Sequence, residues 1–115
     1  MRSYAVPSAE AACDQIGKGG RFTIWGSGSK GSLRAPAEGA VPLDIRRMAG
    51  MVEYDPGEYT FTARAGTMLK DIIATLDQAG QYLPFDPMQA GRGATLGGCI
   101  ASGVSGPGRF RYGGV

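Results

Sequence analysis

The chain is 115 residues long, 43% hydrophobic and 19% charged, with a formal charge of +2 and no histidine. This length suits one small domain with one core, and the charge is too small to argue for nucleic acid. Lacking histidine, the chain lacks the usual metal ligand and the usual general base.

Glycine is the unusual component. There are 20, and nine of them fall between Gln89 and Val115. A tail so rich in glycine builds little core alone and needs a ligand or more protein to order it. Basic residues are scattered: Arg46 and Arg47 are adjacent, and Arg109 and Arg111 flank Phe110 in what reads as a solvated loop. Cys13 and Cys99 show neither metal spacing nor a disulfide framework and are expected as small buried or half-buried residues. No apolar run approaches a membrane span, and no signal-peptide core follows Met1, so a cytoplasmic protein is the expectation.

In chain order, Ala9, Ala12, Cys13 and Ile16 follow helical spacing, with Ser8 to cap the start and Gly17 or Gly19 the end. Arg21 to Trp25 is the first strand. It runs into Gly26-Ser-Gly-Ser-Lys-Gly31, where the backbone loses its side chains. Such a loop turns N–H groups toward a bound anion because no Cβ blocks the approach, and Lys30 adds positive charge. A phosphate or pyrophosphate is the expected guest, and hence a nucleotide or dinucleotide cofactor.

The NTPase phosphate loop does not fit, because Gly26 to Lys30 is too short and no glycine stands immediately before Lys30. Gly26, Gly28 and Gly31 match G-x-G-x-x-G, and Asp44 lies near the place of the ribose-binding acid. That fingerprint requires a helix after its third glycine. Pro36 and Gly39 break any helix there. The competing reading of the loop is a plain glycine turn between two strands.

Val41, Leu43 and Ile45 alternate with Pro42 and Asp44 in a short second strand. Met48 and Met51 bracket Gly50 in a turn or short helical piece. Met51 to Tyr54 is a third strand, stopped by the turn Asp55-Pro-Gly-Glu58, and Tyr59 to Ala65 alternates as a half-buried fourth. Thr67 is placed to cap the next helix, whose stripe is Leu69, Ile72, Ile73 and Leu76, and Gly80 ends it. Gln81 to Phe85 reads as a short extended piece closed by Pro84 and Pro87. The order β-β-β-β-α-β predicts an α+β fold, a small mixed sheet with flanking helices.

Ala94-Thr-Leu-Gly-Gly-Cys-Ile-Ala-Ser-Gly103 is the second candidate. Thr95 is placed to cap a helix whose first turn holds Gly97 and Gly98, and unpaired N–H groups at a helix start attract anions. Two glycines there cost about 1 kcal/mol each against alanine, which points to something approaching the backbone closely. The competing reading is a glycine-rich loop closing over the sheet. A pyrophosphate gripped between both clusters accounts for the pair.

Six segments in this order resemble a known family. They are Ile24-Trp-Gly-Ser-Gly-Ser-Lys30, Leu43-Asp-Ile45, Tyr54-Asp-Pro56, Thr62-Ala-Arg-Ala-Gly-Thr67, Gly80-Gln-Tyr-Leu-Pro-Phe-Asp-Pro87 and Ala94-Thr-Leu-Gly-Gly98. Together they are similar to the FAD-binding domain of the vanillyl-alcohol-oxidase (PCMH) type, in its glycolate-oxidase branch. Ser105-Gly-Pro-Gly-Arg109 and Tyr112-Gly113 continue the likeness. The resemblance implies two α+β subdomains with FAD extended between them. On that basis residues 1–115 are the N-terminal part of such a domain, with about 1–88 the first subdomain and 89–115 the start of the second.

By the same resemblance, Gly26, Ser27, Gly28, Ser29 and Lys30 would form the pyrophosphate loop, and Pro84 would lie near the flavin end. Thr95, Gly97 and Gly98 would meet the pyrophosphate and ribitol from the opposite side, and Ala101, Ser102 and Gly106 would line the flavin path. Some relatives attach FAD through histidine, sometimes with cysteine. This chain has no histidine, and Cys99 follows the Gly-Gly pair, so non-covalent FAD is expected. The implied reaction is oxidation of a small 2-hydroxy acid to a 2-oxo acid. Its partners would be glycolate-oxidase-type flavin and iron–sulfur subunits, through which any membrane association would arise. No catalytic residue is assigned, since Asp71 and Glu53 read as solvated faces. The isolated chain is expected to be inactive. Two alternatives remain: a non-catalytic structural half-domain needing a partner, and a fragment of a UDP-N-acetylenolpyruvoylglucosamine reductase-like flavoprotein.

Overall fold

The computed structural model describes residues 4–26, 38–85, 90, 93–103, 108 and 111. The described elements are β1 (Tyr4–Ala5), α1 (Ala9–Gly17), β2 (Phe22–Trp25), β3 (Val41–Asp44), β4 (Met51–Asp55), β5 (Thr60–Ala63), α2 (Leu69–Gln78) and α3 (Leu96–Ser102). Helices and two small sheets make up the α+β fold expected from the strand and helix order.

The first sheet has the order β1-β3-β2, and both of its pairings are parallel. Phe22 pairs with Val41 and Trp25 with Asp44. Strands β2 and β3 follow one another in sequence yet run the same way. Parallel strands require a connection of a dozen or more residues, and this excludes a plain glycine turn at Gly26. Pro42 is tolerated in β3 because of its phase. Val41 and Ile45 donate to Arg21 and Trp25 of the β2 side, each at 2.9 Å. Pro42 is one residue out of step, so its missing N–H removes nothing from that ladder.

The second sheet is the antiparallel hairpin β4–β5, with a register shift between Met51 and Glu53. The Asp55 carboxylate accepts from Gly57 and Glu58 N–H and closes the turn. Tyr59 takes a left-handed φ of 57° there. Met51, Tyr54, Phe61 and Ala63 pack on a core of Leu69, Ile72 and Leu76 from α2, with Leu83, Ala94, Leu96 and Cys99. Ile73, on the shoulder of the α2 stripe, is exposed. The Tyr54 hydroxyl donates to Gln81 Oε1 at 2.5 Å, and Gln81 Nε2 donates to the Pro56 carbonyl at 2.8 Å. These two bonds tie the hairpin to the exit of α2.

Three local expectations are corrected. Thr67 does not cap α2. Met68 holds that position with no side-chain cap, and the Leu69 N–H donates to the Ala94 carbonyl at 2.9 Å. The Thr67 hydroxyl is engaged elsewhere, accepting from Gly50 N–H at 2.9 Å and donating to the Arg64 carbonyl at 2.6 Å. Gln81 to Phe85 joins no ladder: Gln81 N–H returns to the Leu76 carbonyl in the helix-terminating turn, and Leu83 drops into the core. Cys13 is exposed, because α1 buries no residue completely, whereas Cys99 is buried as expected. The Ser8 and Thr95 caps form as expected, accepting from Ala11 N–H and Gly98 N–H.

Candidate functional site

The two glycine segments meet. Gly26 leaves the carboxyl end of β2, and a Cβ placed on it would collide with Thr95 Oγ1 and lie 3.1 Å from Thr95 Cγ2. Thr95 is 2% exposed and cannot swing away. Only a residue without a side chain lets these two stretches of backbone lie against each other.

The approach is built from below. Met68 and Thr95 form an antiparallel bridge, so the N-terminal ends of α2 and α3 lie side by side. Leu96 N–H donates to the Thr67 carbonyl at 2.9 Å, and Gly97 N–H to the Ala65 carbonyl at 2.8 Å. Gly66 N–H donates to the Met48 carbonyl at 2.8 Å, and Ile45 N–H reaches back to the Trp25 carbonyl at 2.9 Å. The turn 64–67 therefore joins the carboxyl edge of the parallel sheet to both helix starts. In open sheets with parallel strands, the carboxyl edge is where ligands bind.

The chemistry at α3 differs from the sequence expectation. Its first-turn donors are not bare. Leu96 and Gly97 donate to backbone carbonyls, and Gly98 N–H donates to Thr95 Oγ1 at 3.2 Å. The glycine at 97 serves close packing instead, since a Cβ there would stand 2.8 Å from the Ala65 Cβ. Ala101 and Ser102 lie on the exposed end of α3, where the Ser102 hydroxyl donates to the Cys99 carbonyl at 3.1 Å. Pro84 is exposed beyond the far end of α2, a helix of about 15 Å at 1.5 Å per residue. Ser27, Gly28, Ser29, Lys30 and Gly106 lie outside the described residues.

Two side chains at this edge matter beyond that expectation. Trp25, the last residue of β2, holds its Nε1–H buried with no hydrogen-bond partner. Nothing in the residue pattern marked it, because an indole donor looks the same whether or not a partner exists. Asp44, its register neighbour on β3, is engaged by Arg46. Arg46 Nη2 donates to Oδ2 at 2.6 Å, and Arg46 Nε and backbone N–H each reach Oδ1 at 3.0 Å. Asp44 therefore answers an arginine of its own turn, an occupied acceptor in place of a free ribose-binding acid.

The hydrogen bonds from the Arg46 side chain hold the Asp44 carboxyl below its ordinary value of 3.8, with burial opposing and the Arg46 backbone N–H and charge assisting. A carboxyl depressed in the folded state stabilises the fold above its unfolded pKa, and that contribution is lost as pH falls through the depressed value. Arg46→Met is expected to move the Asp44 titration back up toward 3.8 in a carboxyl NMR titration. Identical Asp44 midpoints in parent and variant would contradict the pairing.

A shallow cleft of about 350 Å³ opens between the 46–51 turn and α2, lined by Arg46, Met51, Thr67, Asp71 and Thr75 among others. Among the described residues no group of His, Cys, Asp or Glu is placed to hold a metal, and no helix is long and apolar enough to cross a membrane.

Residues 9–115 match the family described as FAD binding domain. The chain belongs to this FAD-binding family. Its cofactor is accordingly FAD, and the family is one of flavoprotein oxidoreductases. The chain is 48% identical to the glycolate oxidase subunit GlcE of Escherichia coli (strain K12) over 88 residues, 76% of this chain and 25% of that protein. It is 36% identical to D-lactate dehydrogenase [cytochrome] 1, mitochondrial, of Saccharomyces cerevisiae over 74 residues, 64% of this chain and 12% of that protein. Two solved structures of alkyldihydroxyacetonephosphate synthase superpose with TM-scores of 0.75 and 0.70 at 24% and 25% identity. They cover 96% and 95% of this chain and 22% and 21% of those chains, and they share its fold. The chain thus spans a quarter or less of the curated relatives it matches.

Proposed function

We propose that this chain is the N-terminal FAD-gripping part of a glycolate-oxidase-like enzyme that converts a small 2-hydroxy acid into a 2-oxo acid. In this reading residues 1–88 form the first subdomain and 89–115 open the second. The observation that carries it is the contact of Gly26 with Thr95, which brings the start of one glycine segment against the start of the other. One feature of the chain's residues suits the cofactor: the Trp25 Nε1–H is a buried donor without a partner in the fold.

Bound non-covalently, FAD supplies a two-electron acceptor at flavin N5 for the hydride that leaves the hydroxyl-bearing carbon. The chain's own residues bind and orient. Gly26, Ser27, Gly28, Ser29 and Lys30 offer N–H groups and a cation to the pyrophosphate. Thr95, Gly97 and Gly98 form the packed wall opposite, holding the backbone close while their donors serve the fold. Ala101, Ser102 and Gly106 line the flavin path, and Pro84 marks its far end. The hydroxyl proton must pass to a base elsewhere, since Glu53 and Asp71 are exposed on β4 and α2. That GlcE is a subunit of glycolate oxidase supports partner subunits for this chain, and in this reading they are flavin and iron–sulfur companions that carry the electrons away.

FAD titrated into this chain, beside a form extended by the following half-domain, tests the reading. The short form is expected to bind at least about 100-fold more weakly, because half of the grip is missing. A nanomolar dissociation constant for the short form overturns that. In the extended form Gly28→Asp is expected to weaken FAD about tenfold or more by setting negative charge against a phosphate. An unchanged affinity removes the loop from the site.

The occupied donors at the start of α3 favour a second reading, a non-catalytic half-domain that only completes a partner's fold. An extended form that folds and stays colourless in excess FAD would establish it.

A further inference from the structure

We infer that the indole N–H of Trp25 donates a hydrogen bond to a phosphoryl oxygen of the FAD pyrophosphate. The inference rests on the cofactor reading above and adds a side-chain contact to it. Its ground is a deficit in the fold. Buried donors are almost always paired, and leaving one unpaired costs about 1–3 kcal/mol. Among the described side chains whose atoms are buried, Trp25 Nε1 is the unpaired one. Its place makes the deficit informative. Trp25 ends β2 at the carboxyl edge of the parallel sheet, and the next residue is Gly26, whose backbone lies against Thr95.

No protein acceptor reaches the Trp25 Nε1–H, and the polar groups at this edge make their bonds elsewhere. Asp44, the register partner of Trp25, has both carboxylate oxygens on Arg46. Thr95 Oγ1 accepts from Gly98 N–H. The Trp25 carbonyl accepts from Ile45 N–H. An acceptor supplied by a bound group resolves the deficit, and in the cofactor reading the group beside Gly26 is the FAD pyrophosphate. Phosphoryl oxygens are charged acceptors, which make the stronger kind of hydrogen bond. Because the nitrogen is buried, the inference requires the atoms over it to shift when that oxygen binds.

The chain has a single tryptophan, so its spectrum holds a single indole N–H signal. On titrating millimolar FAD into the ¹⁵N-labelled chain, that signal is expected to move downfield in ¹H and to exchange more slowly with solvent. ADP, which carries the pyrophosphate, is expected to do the same, and riboflavin is not. Backbone amides that shift while the indole signal stays put overturn the inference and leave the cofactor reading standing. Riboflavin moving the indole where ADP does not also overturns it. No amide moving with millimolar FAD overturns the inference for this chain and leaves the cofactor reading to the titration of the extended form.

A second arm replaces Trp25 biosynthetically with β-(3-benzothienyl)alanine, which keeps the ring's shape and puts sulfur where the N–H was. FAD is expected to bind about tenfold more weakly. The free chain is expected to melt no lower than the parent, because the lost donor had no partner. An unchanged FAD affinity overturns the inference. A lower melting temperature with unchanged affinity assigns Trp25 to packing alone, and overturns it equally.

Discussion

Gly66→Ala is expected to destabilise the fold by more than about 4 kcal/mol, near the whole stability of a small domain. A Cβ at this position would overlap the Ile45 carbonyl oxygen and stand 2.8 Å from the Met48 carbonyl oxygen and 2.9 Å from the Ile45 carbonyl carbon. These are backbone atoms of the turn that follows β3, so no rotamer change relieves the clash. The two chain segments must separate, and the Gly66 N–H bond to Met48 and the Thr67–Gly50 pair would go with them. The cost is steric, since the φ of Gly66 is outside the left-handed range. Urea or thermal denaturation followed by circular dichroism measures it. A variant that melts within a few degrees of the parent would mean the 45–48 and 64–67 turns do not touch as described.

Gly26→Ala is expected to destabilise by about 1–3 kcal/mol, the usual range for overpacking a closed site, and to weaken FAD in the extended form. Here the opposing atoms belong to one side chain, Thr95, and the effect should be reversible by trimming it. Thr95→Ala alone removes the acceptor that caps α3 and costs about 1 kcal/mol. In the double variant Oγ1 and Cγ2 are gone, and the second methyl keeps only the milder 3.3 Å approach to the residue 95 Cβ. The Gly26→Ala/Thr95→Ala pair is therefore expected to cost less than the sum of its parts by about 1 kcal/mol or more. Simple additivity would show that the two glycine segments are not in contact, and the cofactor site would lose its carrying observation.

Much of this architecture was legible because its causes are local. The stripe of α2, the Asp55-Pro-Gly-Glu58 turn and the Ser8 and Thr95 caps depend on neighbours within a few residues. The glycine loop after Trp25 and the Gly97-Gly98 pair stood out for the same reason. The six-segment resemblance agrees with the family matched over residues 9–115. What stayed hidden depends on partners far along the chain. Thr67 had the right residue type for a cap, but Gly50, 17 residues earlier, takes its hydroxyl. The first-turn donors of α3 looked available until Ala65 and Thr67 proved to accept them. Gly66 drew no notice alone, because its need for glycine comes from Ile45 and Met48.

The order of residues thus determined by itself the kinds of element, most of their ends, and the family. Hydrophobic spacing, capping chemistry and glycine placement act within a turn or two of chain. Only the tertiary structure decided that β2 and β3 run parallel, that Gly26 rests on Thr95, and that Trp25 holds an unanswered donor. Each of those is a matter of which distant atoms come within a few ångströms, and close packing, unlike local preference, is a property of pairs that no single segment carries.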